Sequence, residues 1–346
     1  MSSQKKSVFK RVSEWFLKKQ ESSIILILIL FITFVVCVNP SFLGGSNVIN
    51  ILRSTGFTLI VVVGMSLVLI TGGLDLSVGS VYALGALISA MAATSGVPVP
   101  IAIILGLLVG AGIGSINGLL IVKAGMPPLI VTLGMQYMAR GLVSVLTKGV
   151  PIFPLPESFV AIESAKVFGI IPVIIPIAIT IAIVGHIVLS KTVFGRSVYA
   201  IGGNPEAARI SGINIGRTKM SVYIITGMLA AMAGILMSSR LGSAEPSTGT
   251  ALEMKVICGA IIGGISTFGG MGTIFGASLG ALFMEALTNS LTLMKISVYW
   301  QNLVFGAVLI ISVLLDQYKR VLTLRQSVKN TEIIKTETVK APSIEQ

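Results

Sequence analysis

Charged residues are so sparse in this chain that the gaps between them outline its elements. From Ser22 to Leu52 there is no charged side chain, and from Leu76 to Val122 there is none for 47 residues. A helix needs about 20 apolar residues to cross a bilayer, so the longer run must hold two. Pro98 and Pro100 divide it, and Asn39-Pro40 with Gly44-Gly45 breaks the earlier run. Reading on in this way predicts ten membrane-spanning helices. They fall near residues 22–38, 48–70, 77–94, 100–122, 129–147, 170–190, 219–239, 251–266, 273–292 and 297–315. Pro127-Pro128 opens the fifth. The eighth looks short, and the glycine-rich stretch 263–272 separates it from the ninth. The division that follows is a basic N-terminal segment (1–21), a transmembrane domain (22–318) and a polar, disordered tail (319–346). No small-residue cleavage site follows the first apolar run, so it reads as a retained helix rather than a signal peptide.

Composition removes the competing classes. Apolar residues make up 54% of the chain, 38 glycines add to them, charged residues are only 11%, and mean hydropathy is +0.96. Soluble chains carry about 25% charge, so a soluble fold, a disordered chain, collagen and a coiled coil are all excluded. The fold class is an all-α polytopic membrane protein. Of the 25 Lys and Arg residues, 18 fall in 1–20, at Lys123, in 191–219 or in 316–346. The positive-inside rule then puts those segments, and both termini, in the cytoplasm. The net charge of +12 belongs to these loops. No aromatic pattern for base stacking accompanies it, which argues against a nucleic-acid partner. Cys37 and Cys258 lie in apolar runs and read as buried small hydrophobes. His186 reads as structural, and there is no metal-ligand set.

Glycine spacing indicates how the helices pack. Gly106, Gly110, Gly114 and Gly118 recur every fourth residue, as do Gly272, Gly276 and Gly280. Small residues on one stripe let helix backbones approach closely in lipid. No G-x-x-x-x-G-K-[ST] phosphate loop occurs. No cofactor is expected in this chain, and any ATP-Mg used would be bound by another subunit.

Two groups of residues carry functional readings. The first is the loop 191–218. Within it Asn204, Pro205, Glu206, Ala207, Ala208, Arg209 and Gly212 outline a short capped helix. Asn204 suits the N-cap, Pro205 the first turn, Glu206 the positive end, Arg209 the last turn and Gly212 a left-handed close. Seven residues are too few to persist alone in water, so this helix needs a surface: lipid headgroups, or a cytoplasmic partner that it couples to the spans. The second group is a candidate translocation path. Asp75 stands alone between two apolar spans; it either caps the third span, with Ser77 or Ser80 capping the restart, or lines the path. Thr132, Gln136, Arg140 and Ser144 form one helical stripe, which serves either interhelical hydrogen bonding or a polar wall. Glu285 and Asn289 share a face of the ninth span. Gln301 and Asn302 open the tenth beside Tyr299 and Trp300, which read as interfacial anchors. Asn117 is a weaker member.

Three segments together resemble the permease subunit of bacterial sugar ATP-binding-cassette (ABC) importers of the ribose type: Thr71–Ser80 (TGGLDLSVGS), Phe194–Asn214 with its GGNPEAARISG core, and Gly263–Thr273 (GGISTFGGMGT). The order is specific, while each glycine motif alone is weak; Glu253-Met254-Lys255 departs from the usual pattern by placing a lysine there. The resemblance implies a type II ABC importer-like permease fold, paired as a homodimer or with a close paralogue. It implies an ATPase partner with two nucleotide-binding halves and an extracytoplasmic solute-binding protein. Residues Asn204–Gly212 would be the coupling helix, and this chain would perform no chemistry. The alternatives are a permease of the same superfamily for autoinducer, nucleosides or branched-chain amino acids, and a stand-alone secondary transporter. For the latter, Asp75 and Glu285 are the only two candidate ion-coupling carboxylates.

Overall fold

The computed structural model describes residues 20–314 and 316–318 and is helical almost throughout. We number the helices in chain order: α1 Gln20–Val38, α2 Gly45–Ile70, α3 Val78–Thr94, α4 Val99–Val122, α5 Pro128–Thr147, α6 Glu157–Ser164, α7 Ile174–Lys191, α8 Val193–Gly203, α9 Pro205–Ile210, α10 Ile215–Leu241, α11 Leu252–Ile262 and α12 Ile274–Leu293, with α13 over Val298–Tyr318. A two-stranded hairpin, Lys166–Val167 with Ile171–Pro172, precedes α7. Each of the ten stretches read from the sequence falls on a helix. Seven of these are long and apolar enough to cross a membrane; the apolar part of α1 (Ile24–Val38), α3 and α11 are shorter. The sixth starts at Ile174 rather than near 170, because the hairpin occupies its first residues. The first 19 residues of the basic N-terminal segment and the 319–346 tail lie outside the described residues.

The long helices run up and down between two ends. One end carries α6 and the hairpin; the other carries α8 and α9. α10 lies at the centre against α2, α3 and α4. Its contact with α4 is made by the first predicted glycine stripe. A Cβ on Gly110 would run into the carbonyl of Gly227, and one on Gly114 into that of Tyr223. On α12, Gly276 and Gly280 meet Gly263 and Gly259 in the same way. Gly272 departs from that stripe: it precedes the helix at φ +124° and lies against Ile265. α2 is buried continuously from Thr55 to Ile70, whereas α1, α4, α5, α7 and α13 present large apolar side chains outward. That outer apolar surface suits lipid. Cys37 is on it: the expected burial holds for Cys258 but not for Cys37, which is exposed. α1 packs on its neighbours along one side only, through Val35 and Phe31, and Cys37 falls on the other.

Candidate functional site

A cavity of about 390 Å³ with both polar and apolar lining lies toward the α6 end. Helices α2, α3, α10, α11, α12 and α13 form it, together with the segment before α11. Its lining includes Ser54, Thr58, Tyr82, Thr250, Lys255, Glu285, Gln301 and Asn302, with Phe57 and Phe305 supplying apolar faces. Lys255 Nζ lies 2.8 Å from Glu285 Oε1, and both side chains are largely buried. Thr58 donates its hydroxyl to the same carboxylate. A buried carboxylate without a partner is costly; here the lysine one helix away neutralises it, so the cavity is polar without net charge. Of the residues proposed for the path, Glu285, Gln301 and Asn302 meet here.

The other path candidates are elsewhere. Asn289 forms a reciprocal amide pair with Asn47, 2.9 Å in each direction, joining α12 to α2. Gln136 donates to Glu253 Oε1 at 2.9 Å. Arg140 donates to the carbonyls of Pro246 and Thr248 at 2.8 Å and of Gly79 at 3.2 Å. Residues 242–251 turn back into the body without regular structure before α11 begins. The carbonyls of Pro246 and Thr248 in this irregular stretch are bonded by Arg140, as buried main-chain acceptors require a donor. The α5 stripe therefore ties α5 to α11 and to the segment before it. Thr132 continues the tie, donating to Leu74 O at 3.3 Å, while Ser144 bonds only within its own helix.

Asp75 is buried in the break between α2 and α3. Its Oδ1 accepts from Ser77 N at 2.9 Å and from the Ser77 hydroxyl at 2.6 Å. Asn117 donates to that hydroxyl at 3.0 Å. This is a turn that fixes Ser77 at the entrance to α3. Neither Ser77 nor Ser80 caps α3 through its own oxygen, and Asp75 bonds Ser77 rather than an N–H of the helix.

Sequence reasoning missed several charged groups. Glu253 and Glu163 are also buried carboxylates. Arg53 on α2 grips Glu163 on α6 through two bonds, the Nε–Oε1 distance being 2.7 Å. Ser239 donates onto the backbone of α6 beside it at 2.7 Å. Arg240 lies over the ring of Phe57, 5.5 Å from its centroid. His186 borders a mostly apolar pocket, and among the described residues no group of three potential ligands exists for a metal.

At the opposite end the geometry is of another kind. α9 spans Pro205–Ile210, with Asn204 accepting from the backbone N–H groups of Glu206 at 3.0 Å and Ala207 at 3.1 Å. Glu206 and Arg209 pair with each other on the exposed face, and Gly212 closes the turn at φ +80°. Ala208 alone of these residues faces inward, while Ile210 stands exposed. Behind α9, α8 is anchored to the glycine-rich turn 263–272. Tyr199 donates its hydroxyl to Gly272 O at 2.6 Å. Burial pushes the Tyr199 phenol's pKa up, which keeps it a donor. A second, mostly apolar cavity of about 470 Å³ lies at this end, bounded by the α2–α3 break, α11 and α13.

An apolar-flanked helical bundle with seven helices long and apolar enough to cross a membrane, and a partly polar cavity inside, is the architecture of a multi-pass membrane protein. Residues 47–313 match the family described as branched-chain amino acid transport system / permease component, and the chain belongs to that family. It is similar to the ribose import permease protein RbsC of Bacillus subtilis, 41% identical over 84% of this chain and 91% of the relative. The RbsC of Haemophilus influenzae is 38% identical over 88% and 94%. The autoinducer 2 import system permease protein LsrC of an Enterobacter strain is 35% identical over 87% of each. No solved structure matches the chain.

Proposed function

We propose that this protein is the transmembrane permease subunit of an ATP-driven importer for a monosaccharide or related small polar solute. The observation that carries this reading is the cavity around Lys255 and Glu285. It offers donors and acceptors from Gln301, Asn302, Tyr82 and Thr250 with no net charge, beside the rings of Phe57 and Phe305. Such a lining suits a neutral polyhydroxylated molecule, with hydroxyls paired and ring faces on the aromatics. The relatives named for ribose and autoinducer 2 support the same class.

In this reading all ten stretches cross the inner membrane. The α9 end is cytoplasmic with both termini, and the α6 end faces outward. An extracytoplasmic binding protein delivers solute there, and two permease copies, identical or paralogous, share one ATPase with two nucleotide-binding halves. ATP-Mg sits on that partner, and this chain hydrolyses nothing. Helix α9 is the coupling element: its exposed Glu206, Arg209 and Ile210 form the docking face, and its caps hold a helix too short to persist unaided. Movement of the ATPase alternates access between the two cavities.

The test is reconstitution of the permease with its ATPase and binding protein in vesicles, with ATP added on the α9 side. Uptake of one member of a panel of pentoses, hexoses and autoinducer 2, dependent on ATP and on the binding protein, is the expected result. Uptake driven by an ion gradient without ATP would replace the reading with a secondary transporter.

A further inference from the structure

The three segments that set this sequence apart are distant along the chain, yet they meet at one place. Gly202, at the end of α8, lies so close to the carbonyl of Ile70 that any Cβ would overlap it. The same carbonyl accepts a hydrogen bond from Gly270 N at 2.8 Å. A Cβ on Gly269 would press on the backbones of both Gly72 and Gly202. Gly269 and Gly270 also hold φ of +85° and +73°, and Gly72 holds +73°, conformations that favour glycine. A fourth element joins them. Asp316 on α13 accepts from Thr267 N at 3.0 Å, from the Thr267 hydroxyl at 2.8 Å and from Ser266 at 3.2 Å.

The junction thus connects four elements with little side chain between them. On one side is the α8–α9 pair, with its exposed docking face. On the other are the α2–α3 break and α13. Gly72, Leu74 and Thr267 from the junction, and Val313 from α13, line the second cavity. Side chains between two moving parts can change rotamer and absorb a displacement. Backbone in direct contact cannot, because packed interiors have low compressibility and transmit strain.

We infer that this glycine junction is the mechanical link between the ATPase-docking helix and the cytoplasmic mouth of the path, with Gly202, Gly270, Tyr199 and Asp316 as its positioning residues. A displacement of α9 moves α8. Through Gly202 it moves the α2–α3 break, and through the turn 263–272 and Asp316 it moves α13, so the walls of the second cavity shift together. The inference rests on the coupling role proposed for α9 and adds where the push is delivered.

The experiment uses the reconstituted complex of permease, ATPase and binding protein, and reads transport and ATP hydrolysis on the same vesicles. The variants are Gly202→Ala, which forces the contact apart, and Asp316→Asn and Tyr199→Phe, which loosen it without adding bulk. Gly134→Ala, at a helical position with open space around it, is the control. We expect all four complexes to assemble and hydrolyse ATP. Solute moved per ATP should fall roughly tenfold in Gly202→Ala, in the range of ordinary coupling energies, and by less in Asp316→Asn and Tyr199→Phe. Unchanged transport per ATP in Gly202→Ala and Asp316→Asn overturns the inference. So does loss of ATPase binding in both, which would make the junction part of the docking surface. Failure of the functional reading is distinguishable, because it appears in the wild-type complex as absence of ATP-dependent uptake.

Discussion

The two ends of this bundle are held together by different physics. Toward the α6 end the contacts described are made by charged side chains: Arg53 with Glu163, Lys255 with Glu285, and Arg140 with the backbone carbonyls ahead of α11. At the α9 end they are largely between backbones, with Gly202, Gly269 and Gly270 in place of side chains. Side-chain contacts leave room for a cavity whose lining can rearrange around a solute. Backbone contacts leave no such slack. The difference matches the division of labour proposed above, with solute received at one end and force at the other.

The largest effect should come from unpairing the α6 end. Glu163 is completely buried, and Arg53 is its partner. Replacing Arg53 with Met removes the hydrogen-bonded partner of that carboxylate and leaves only the more distant Arg240 as a nearby cation; breaking a buried pair costs up to about 3–5 kcal/mol. Thermal unfolding in detergent should show a markedly lower midpoint, partly restored by Glu163→Gln in the same chain. An unshifted midpoint would mean that this pair does not hold α6 in place.

A smaller loss is expected from the glycine contacts toward the α9 end. In Gly280→Ala the new methyl would overlap the carbonyl of Gly259. Overpacking of this kind costs about 1–3 kcal/mol. The loss should be insensitive to salt, because no charge is involved, and unfolding midpoints at low and high ionic strength check this. A strongly salt-dependent loss would blur the contrast between the ends.

Much of this was legible in the sequence, for a specific reason. In a chain with 11% charge, the gaps between charges, divided at Pro and Gly, outline the helices, so all ten stretches could be placed to within a few residues. The caps of α9 were legible because they are local: Asn204, Pro205 and Gly212 act on neighbours within a few positions. What was not legible is pairing across long separations. Arg53 and Glu163 are 110 residues apart, and neither sits in a pattern that names the other. Lys255 was visible only as a departure from a family pattern, and its meaning appears once α12 brings Glu285 beside it. Tyr82 carried no local signal: it lines the cavity because the segment before α11 folds against it. The α5 stripe was legible as a row of polar residues, of which Thr132 is buried, Gln136 and Arg140 are half-buried and Ser144 is exposed. Nothing local could say that its partners were the carbonyls of an irregular segment over 100 residues away.

The measurement closest to the central claim concerns α9. Glu206 and Arg209 are exposed and pair only with each other, an arrangement worth about 0–1 kcal/mol. Glu206→Lys should therefore leave the unfolding midpoint of the permease nearly unchanged. If α9 docks on the ATPase, a reversed charge at the contact weakens it far more than it weakens the fold. Co-purification of the ATPase with wild-type and Glu206→Lys permease, followed by uptake in vesicles, tests this directly. The account predicts a normally folded variant that loses ATPase retention and uptake together, and the same loss when 205–211 is replaced by a Gly-Ser linker. Full ATPase retention and full uptake in both would contradict it.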